Sequence, residues 1–437
     1  MSPLRPVPAA PFEVRADVVV IGAGACGLTA ALAAKEAGAA PLVIERDPAP
    51  RGSTALSAGL IPAAGTRWQR EAGVDDDPAR HAADVMAKAA GEPDPALVEA
   101  LCVEAGPALE WLADRFRLPF SLVADFDYPG HSRRRMHGLP SRTGRELLDA
   151  LRAAAEAEGI DILYGGAATA LHAEPDGPVR GVVLSAPDGA EEAVGCAALI
   201  LACNGFGGDR ALVREHMPEI ADALWFGHDG NRGDALRWGA ALGAGTRHLG
   251  AYQGHGSVAH PEGVLITWAV IGEGGVQVNA EGRRFWNESR GYSEAARMVL
   301  AQPGGVAWAV FDERIAAVAR QFGDFREAEA LGVLRRADTA EDLARACGLP
   351  AEALAETLAA VSAMKAGAAA DPFGRAFAGA PDLGAALVAV RVTGALFHTQ
   401  GGLATDGAGR VRRAEGGGAI PGLYAAGGAA CGVSGSG

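Results

Sequence analysis

The amino-acid sequence predicts an α/β chain of two domains, on three observations. Residues 17–47 read as strand, glycine turn, helix and strand. Two more short apolar strands, near residues 198 and 419, also run into glycine. Between about 245 and 380 the pattern turns mixed and ends in alanine-rich helices. A length of 437 residues is long for one domain and comfortable for two. With 49% hydrophobic and 21% charged residues the chain can bury sizeable cores, which excludes a disordered or fibrous polymer.

The formal net charge of −14 argues against nucleic acid as a partner, because a phosphate backbone needs a basic face. Six cysteines, at 26, 102, 196, 203, 347 and 431, form no C-x-x-C pair and no His-spaced cluster. That usage predicts reduced thiols, no metal site and a cytoplasmic location. The opening MSPLRPVPAAPFEVRAD has no continuous apolar core, so no signal peptide is expected. The apolar stretch at 17–45 is broken by glycines and by Lys35-Glu36, so no membrane span is expected either.

The first segment carries the most information. Val18-Val19-Val20-Ile21 has the continuous apolar character of a buried parallel strand. Gly22, Gly24 and Gly27 give the G-x-G-x-x-G spacing, residues 28–37 are alanine-rich and helical, and residues 41–44 form a second strand closed by Glu45. Gly22 permits the tight turn, Gly24 lets the backbone approach a pyrophosphate, and Gly27 allows close helix–strand packing. The amides of the helix N-terminus point at the diphosphate, and Glu45 can accept from ribose hydroxyls. A lone glycine fingerprint is weak, but strand, glycines, helix, strand and acid here arrive in order. Residues 198–207 and 419–428 repeat the strand-to-glycine pattern, which suits one long ligand touched by distant segments.

With these motifs the chain resembles the flavoprotein family of fumarate reductases, succinate dehydrogenases and 3-ketosteroid 1-dehydrogenases, over nearly its whole length. In active-site pattern it is most similar to the ketosteroid dehydrogenase-like branch. The resemblance implies a Rossmann-like FAD-binding domain of the glutathione-reductase type with an inserted α+β capping domain. It places the FAD domain at 1–240, the capping domain at 245–380 and the return at 385–437, ending before the family's C-terminal helix. FAD would be held by Gly22, Gly24, Ala25, Gly27, Glu45 and Arg46, and by Gly52, Ser53, Thr54, Ser57 and Gly59 of the "RGSTALSAG" loop. Ala168, Ala202, Asn204, Gly205, Asp234, Gly427 and Gly428 complete that set. Gly428 stands where the family often has Glu. The 51–59 loop has no His, where covalently flavinylated members carry one, so FAD is expected to be non-covalent.

The same resemblance marks a substrate site. Tyr252-Gln253-Gly254-His255-Gly256 is similar to a "Q-x-H-P-T" stretch, and Phe397-His398-Thr399-Gln400-Gly401-Gly402 to "H-T-M-G-G". Both histidines would hold a carbonyl or carboxylate, as directional donors near neutral pH. Residues 265–276 resemble "V-T-E-x-x-R-G-x-G-G", retaining Thr267 but replacing the Glu and Arg of the fumarate-reductase proton relay by Trp268 and Ile271. In 282–292, similar to "G-x-R-F-x-N-E-x-x-x-R", Tyr292 takes the place of the proton donor and Arg290 lies two residues early. Tyr128 is where ketosteroid dehydrogenases have another active-site Tyr. The bland alternatives are a structural histidine and a half-buried packing tyrosine, and only the motif context raises these residues above them.

The expectation is an FAD-dependent dehydrogenase or reductase acting on a CH–CH bond next to a carbonyl. Tyr292 would move the α-proton while flavin N5 exchanges hydride with the β-carbon. The partners would be a small ketone or carboxylate substrate and an unidentified electron donor or acceptor. Two alternatives remain open: a carboxylate substrate with Arg290 as donor, and a non-catalytic flavin-binding protein.

Overall fold

A computed structural model describes residues 2–124, 130–174, 177–185, 189–377 and 380–435. The chain divides into two compact units. The first takes residues up to 212, 227–252 and from 398 on; the second takes 213–226 and 253–397.

The first unit is built on a nine-stranded sheet. Its centre is parallel, in the order Asp161–Tyr164, Pro41–Glu45, Val14–Ile21, Glu191–Leu201, Ala419–Ala425. Both faces are covered, as parallel strands require. Val19, Leu199 and Leu423 pack into one core, while Val20 and Val43 pack with Leu28, Leu32, Leu147 and Leu151 into another. Register positions the site. Ile21 is paired with Ile44 and Leu201, and Leu201 with Ala425, so the three strand ends lie level. Gly22, Ala202 and Ala426 therefore leave the sheet together, at the carboxyl edge where doubly wound folds bind nucleotides. The antiparallel strands Ala167–Ala173 and Val179–Ser185 extend the sheet beyond Glu191–Leu201.

Two helices of this unit start at side-chain caps. Pro95–Phe116 begins at Asp94, whose side chain accepts the Ala96 N–H, and stops at Arg117 in the left-handed region (φ +61°). Gly144–Ala157 begins at Thr143, which accepts the Glu146 N–H. Each cap satisfies a first-turn amide that the helix itself cannot. Among the described residues no helix is long and apolar enough to cross a membrane.

The second unit has a six-stranded sheet around Leu387–Thr399, which pairs antiparallel with Val306–Asp312 and Arg335–Ala337 and parallel with Leu224–Trp225. Val276–Val278 extends it beyond Val306–Asp312. The helices Ala340–Cys347 and Ala351–Lys365 cover it with a core of Val310, Leu343, Leu354 and Val361. The central strand is longer than the apolar run 388–392 suggests, and most of it belongs to this unit, whereas the sequence reading gave 385–437 to the dinucleotide domain. The difference has a plain cause. Residues 393–399 alternate too little to mark their register, and their partners are far away in sequence.

Candidate functional site

The first unit carries a nucleotide cradle. The fingerprint helix Ala25–Glu36 has Gly24 as its N-cap with no side-chain cap, which leaves first-turn amides beyond Ala25 N, taken by Thr54, to face an anion. The cradle cannot take larger residues. A Cβ on Gly22, whose φ is +110°, would stand 2.4 Å from Ala202 O, and one on Gly27 would stand 1.9 Å from Gly22 O. Both obstacles are backbone, so neither can swing away. The Glu45 carboxylate accepts from Ala23 N at 2.9 Å and Asp47 N at 3.0 Å, which aims the acid across the turn with lone pairs to spare for a ribose.

The 51–59 loop divides the expected contacts. Thr54 Oγ1 accepts the Ala25 N–H at 3.0 Å, and Ser53 Oγ accepts from Asn204 Nδ2 at 2.6 Å. Each hydroxyl keeps its own proton to donate, the polarity that a pyrophosphate needs. Ser57 is different. Its hydroxyl donates to Thr54 O at 2.8 Å and accepts from Gly59 N at 3.0 Å, so it holds the loop itself, while Gly52 caps the short helix Ser53–Leu56. Gly59 (φ +63°) lies against Thr143 O, where a Cβ would approach to 2.6 Å.

The remaining cradle residues gather at the strand ends. Gly166 N donates to Glu45 O at 3.2 Å, and Ala168 follows at a β-bulge. Gly233 N donates to Gly205 O at 3.1 Å, which ties the start of the helix Asp234–Ala241 to the second glycine turn; Asp234 itself pairs with Arg237. Arg46 reaches Gly230 O at 2.8 Å rather than standing free. His228 accepts the Gly230 N–H on Nδ1 at 3.0 Å, so its proton is on Nε2, which meets Asp47 Oδ2 at 2.7 Å. Asn231, which the sequence reading missed, is buried in this segment with its Nδ2 unpartnered among the described residues. Such an orphaned donor is what a bound polar group satisfies. The turn clearance, the helix end without a side-chain cap, the hydroxyls with a proton to donate and the orphaned amide fit FAD. No histidine stands in the loop, so we predict that acid precipitation of the purified yellow protein leaves the flavin in the supernatant. Flavin held in the pellet overturns this.

The second unit carries a ring cluster around His255. The ring of His255 stacks on Tyr292 at 5.2 Å and on Phe397 at 5.4 Å, with Trp268 edge-on at 5.8 Å. Phe226 stacks in turn on Phe397 at 4.9 Å. Sequence reasoning missed both phenylalanines; adjacency of Phe397 to His398 was the one available signal. His255 Nδ1 accepts the Ser257 N–H at 3.2 Å, which leaves the proton on Nε2. Burial pushes its pKa down to about 3, so the ring is neutral at physiological pH. Burial, with the charge of Glu294, raises the Tyr292 phenol above its ordinary value. Tyr292 opens the helix Tyr292–Leu300.

The other expected residues fall out differently. Thr267 Oγ1 accepts the Ala269 N–H at 3.3 Å and starts the short helix Ala269–Gly272. Arg290 is exposed on the turn Glu288–Arg290. His398, in the first unit, is half-buried with Nδ1 3.4 Å from Thr399 O, and burial lowers its pKa. Tyr128 lies outside the described residues.

Residues 17–436 match a family described as "FAD binding domain". A probable fumarate reductase of Shewanella frigidimarina is 30% identical over 438 residues, spanning 99% of this chain and 72% of the relative. Among solved structures, the open conformation of a flavocytochrome c3 fumarate reductase superposes with a TM-score of 0.85 at 30% identity, covering 98% of this chain and 75% of that one. A 3-ketosteroid-Δ4-(5α)-dehydrogenase of Rhodococcus jostii, solved with 4-androstene-3,17-dione, gives 0.78 at 26% identity, covering 98% and 93%.

Proposed function

Since the chain belongs to the FAD binding domain family and is an FAD-dependent oxidoreductase of the fumarate reductase and ketosteroid dehydrogenase type, we propose that it acts on a CH–CH bond next to a ketone carbonyl, with Tyr292 as acid–base group. The observation that carries this reading is the state of His255. A neutral Nε2–H, on a ring that stacks on Tyr292 and on Phe397 with Trp268 edge-on, is a donor for a neutral carbonyl oxygen. None of those three neighbours carries a charge at neutral pH, and flat rings favour a flat, apolar substrate.

Bound FAD supplies a two-electron hydride acceptor or donor. This chain's residues do the rest. The Nε2–H of His255 hydrogen-bonds the carbonyl oxygen and stabilises the negative charge that gathers there in the enolate. In enone reduction Tyr292 Oη gives its proton to the α-carbon; in dehydrogenation the phenol must first release its proton to solvent before Oη can take the α-proton. With its pKa above the usual value near 10, Tyr292 rests protonated and is loaded as the acid. The stacked rings exclude water around the donor, which strengthens it.

A second reading, reduction of an unsaturated carboxylate with Arg290 as donor, draws on Thr267, His255 and His398 and on the likeness to fumarate reductases. Against it, Trp268 and Ile271 cannot pass protons, and Arg290 is exposed. The test mixes anaerobically reduced enzyme with a cyclic enone or with fumarate. We expect the enone to reoxidise the flavin and fumarate to leave it reduced. Fumarate reoxidation at ordinary enzyme rates, about 1–10³ s⁻¹, would hand the assignment to the carboxylate reading. A flavin reoxidised by neither points to a binding protein.

A further inference from the structure

The side chain of Asn204 lies where a side chain on Gly428 would have to be. A Cβ on residue 428 would stand 2.3 Å from Asn204 Oδ1 and 3.1 Å from Gly205 N. Asn204 adopts φ +66°, the left-handed region where a non-glycine residue is uncommon and asparagine is among the few tolerated. Its carboxamide is clamped at both ends: Oδ1 accepts the Gly205 N–H at 2.8 Å and Nδ2 donates to Ser53 Oγ at 2.6 Å.

That clamp sets the direction of a proton. Because Ser53 Oγ accepts from Asn204, its O–H is left to donate elsewhere, and the Thr54 hydroxyl, which accepts from Ala25 N, likewise keeps its proton to donate. By count the Asn204 carboxamide itself retains one N–H and one lone-pair position. We propose that Asn204 and Gly428 form a matched pair in the cradle. The carboxamide fills the volume that a bare residue 428 leaves, and it holds FAD both directly and by turning the Ser53 hydroxyl outward. Glycine at 428 is then required by asparagine at 204, and the two positions act as one unit.

This rests on the FAD reading and is tested apart from it by a double-mutant cycle on FAD affinity. Apoprotein of wild type, Asn204→Gly, Gly428→Ala and the double variant is titrated with FAD by fluorescence quenching, and the melting temperature of each apoprotein is recorded. Glycine accepts φ +66° without strain, so Asn204→Gly should fold as the wild type does and melt only slightly lower, for the loss of the bonds to Ser53 Oγ and from Gly205 N. It should bind FAD about 10–100-fold more weakly, the usual loss of one or two hydrogen bonds to charged groups. Gly428→Ala should weaken FAD similarly, by displacing the carboxamide. In the double variant the carboxamide is gone and only the 3.1 Å approach to Gly205 N remains, which a shift of a few tenths of an ångström relieves, so it should bind nearly as Asn204→Gly alone does. Losses that multiply instead, or an Asn204→Gly that binds FAD as the wild type does, overturn the pairing. Wild-type apoprotein that takes up no FAD overturns the underlying reading.

Discussion

Tyr292→Phe is expected to slow exchange of electrons between substrate and flavin by about 10²–10⁴-fold, the usual cost of removing a positioned acid or base. The ring that stacks on His255 at 5.2 Å is kept, so the cluster and the helix Tyr292–Leu300 should stand. Only the phenol is lost, and with it the single ionisable atom among the rings against His255. FAD content should not change, because the cradle glycines belong to the first compact unit and Tyr292 to the second. The measurement is stopped-flow flavin reduction by a saturated ketone, or reoxidation by the corresponding enone, with melting temperature and flavin absorbance as controls. A variant that reacts at the wild-type rate, beside an inactive Arg290→Ala, would move proton transfer to Arg290 and favour a carboxylate substrate.

The cradle was legible in the sequence because its signals are local. Four consecutive apolar residues, three glycines at fixed spacing and an acid at the end of the next strand describe one connected βαβ unit, and the register of that unit levels the later glycine turns with the first. Long-range contacts were not legible. Ser57 looks like Ser53 in the loop, yet the one hydroxyl closes the loop on itself and the other accepts from Asn204, 151 positions away. Arg46 follows the ribose acid but meets Gly230, and Phe226 reaches Phe397 only through the sheet that joins Leu224–Trp225 to Leu387–Thr399. Arg283 and Arg284 are neighbours with no difference in pattern. One pairs with Glu356 at the surface, and the other is buried between two carboxylates.

That buried arginine belongs to the network whose loss should cost the second unit most. Glu288 is wholly buried and accepts from Gln277 N at 3.1 Å, from Arg284 Nη2 at 2.6 Å and from Arg375 at 3.3 Å. Arg284 also meets Asp371 at 2.5 Å, so two cations balance two anions out of water. Arg375 joins this set to the turn behind Trp268, donating to Ile271 O at 2.8 Å and Gly275 O at 2.9 Å. The network thus braces two of the three segments that present rings to His255, those of Trp268 and Tyr292. Glu288→Ala leaves a buried excess positive charge and strips Gln277 N of its acceptor, and breaking a buried pair in this way costs about 3–5 kcal/mol. Arg283→Ala is the control, since its partner Glu356 is about half exposed and such a pair is worth about 0–1 kcal/mol. The two units need not unfold together, so hydrogen exchange along residues 269–300 is a better measure than one global transition. Glu288→Ala should lose protection there and lose activity with it, while FAD content holds and Arg283→Ala stays close to wild type in all three. Equal protection in the two variants would mean that water enters and solvates Arg284 and Arg375, and that the charges do not hold the ring cluster in place.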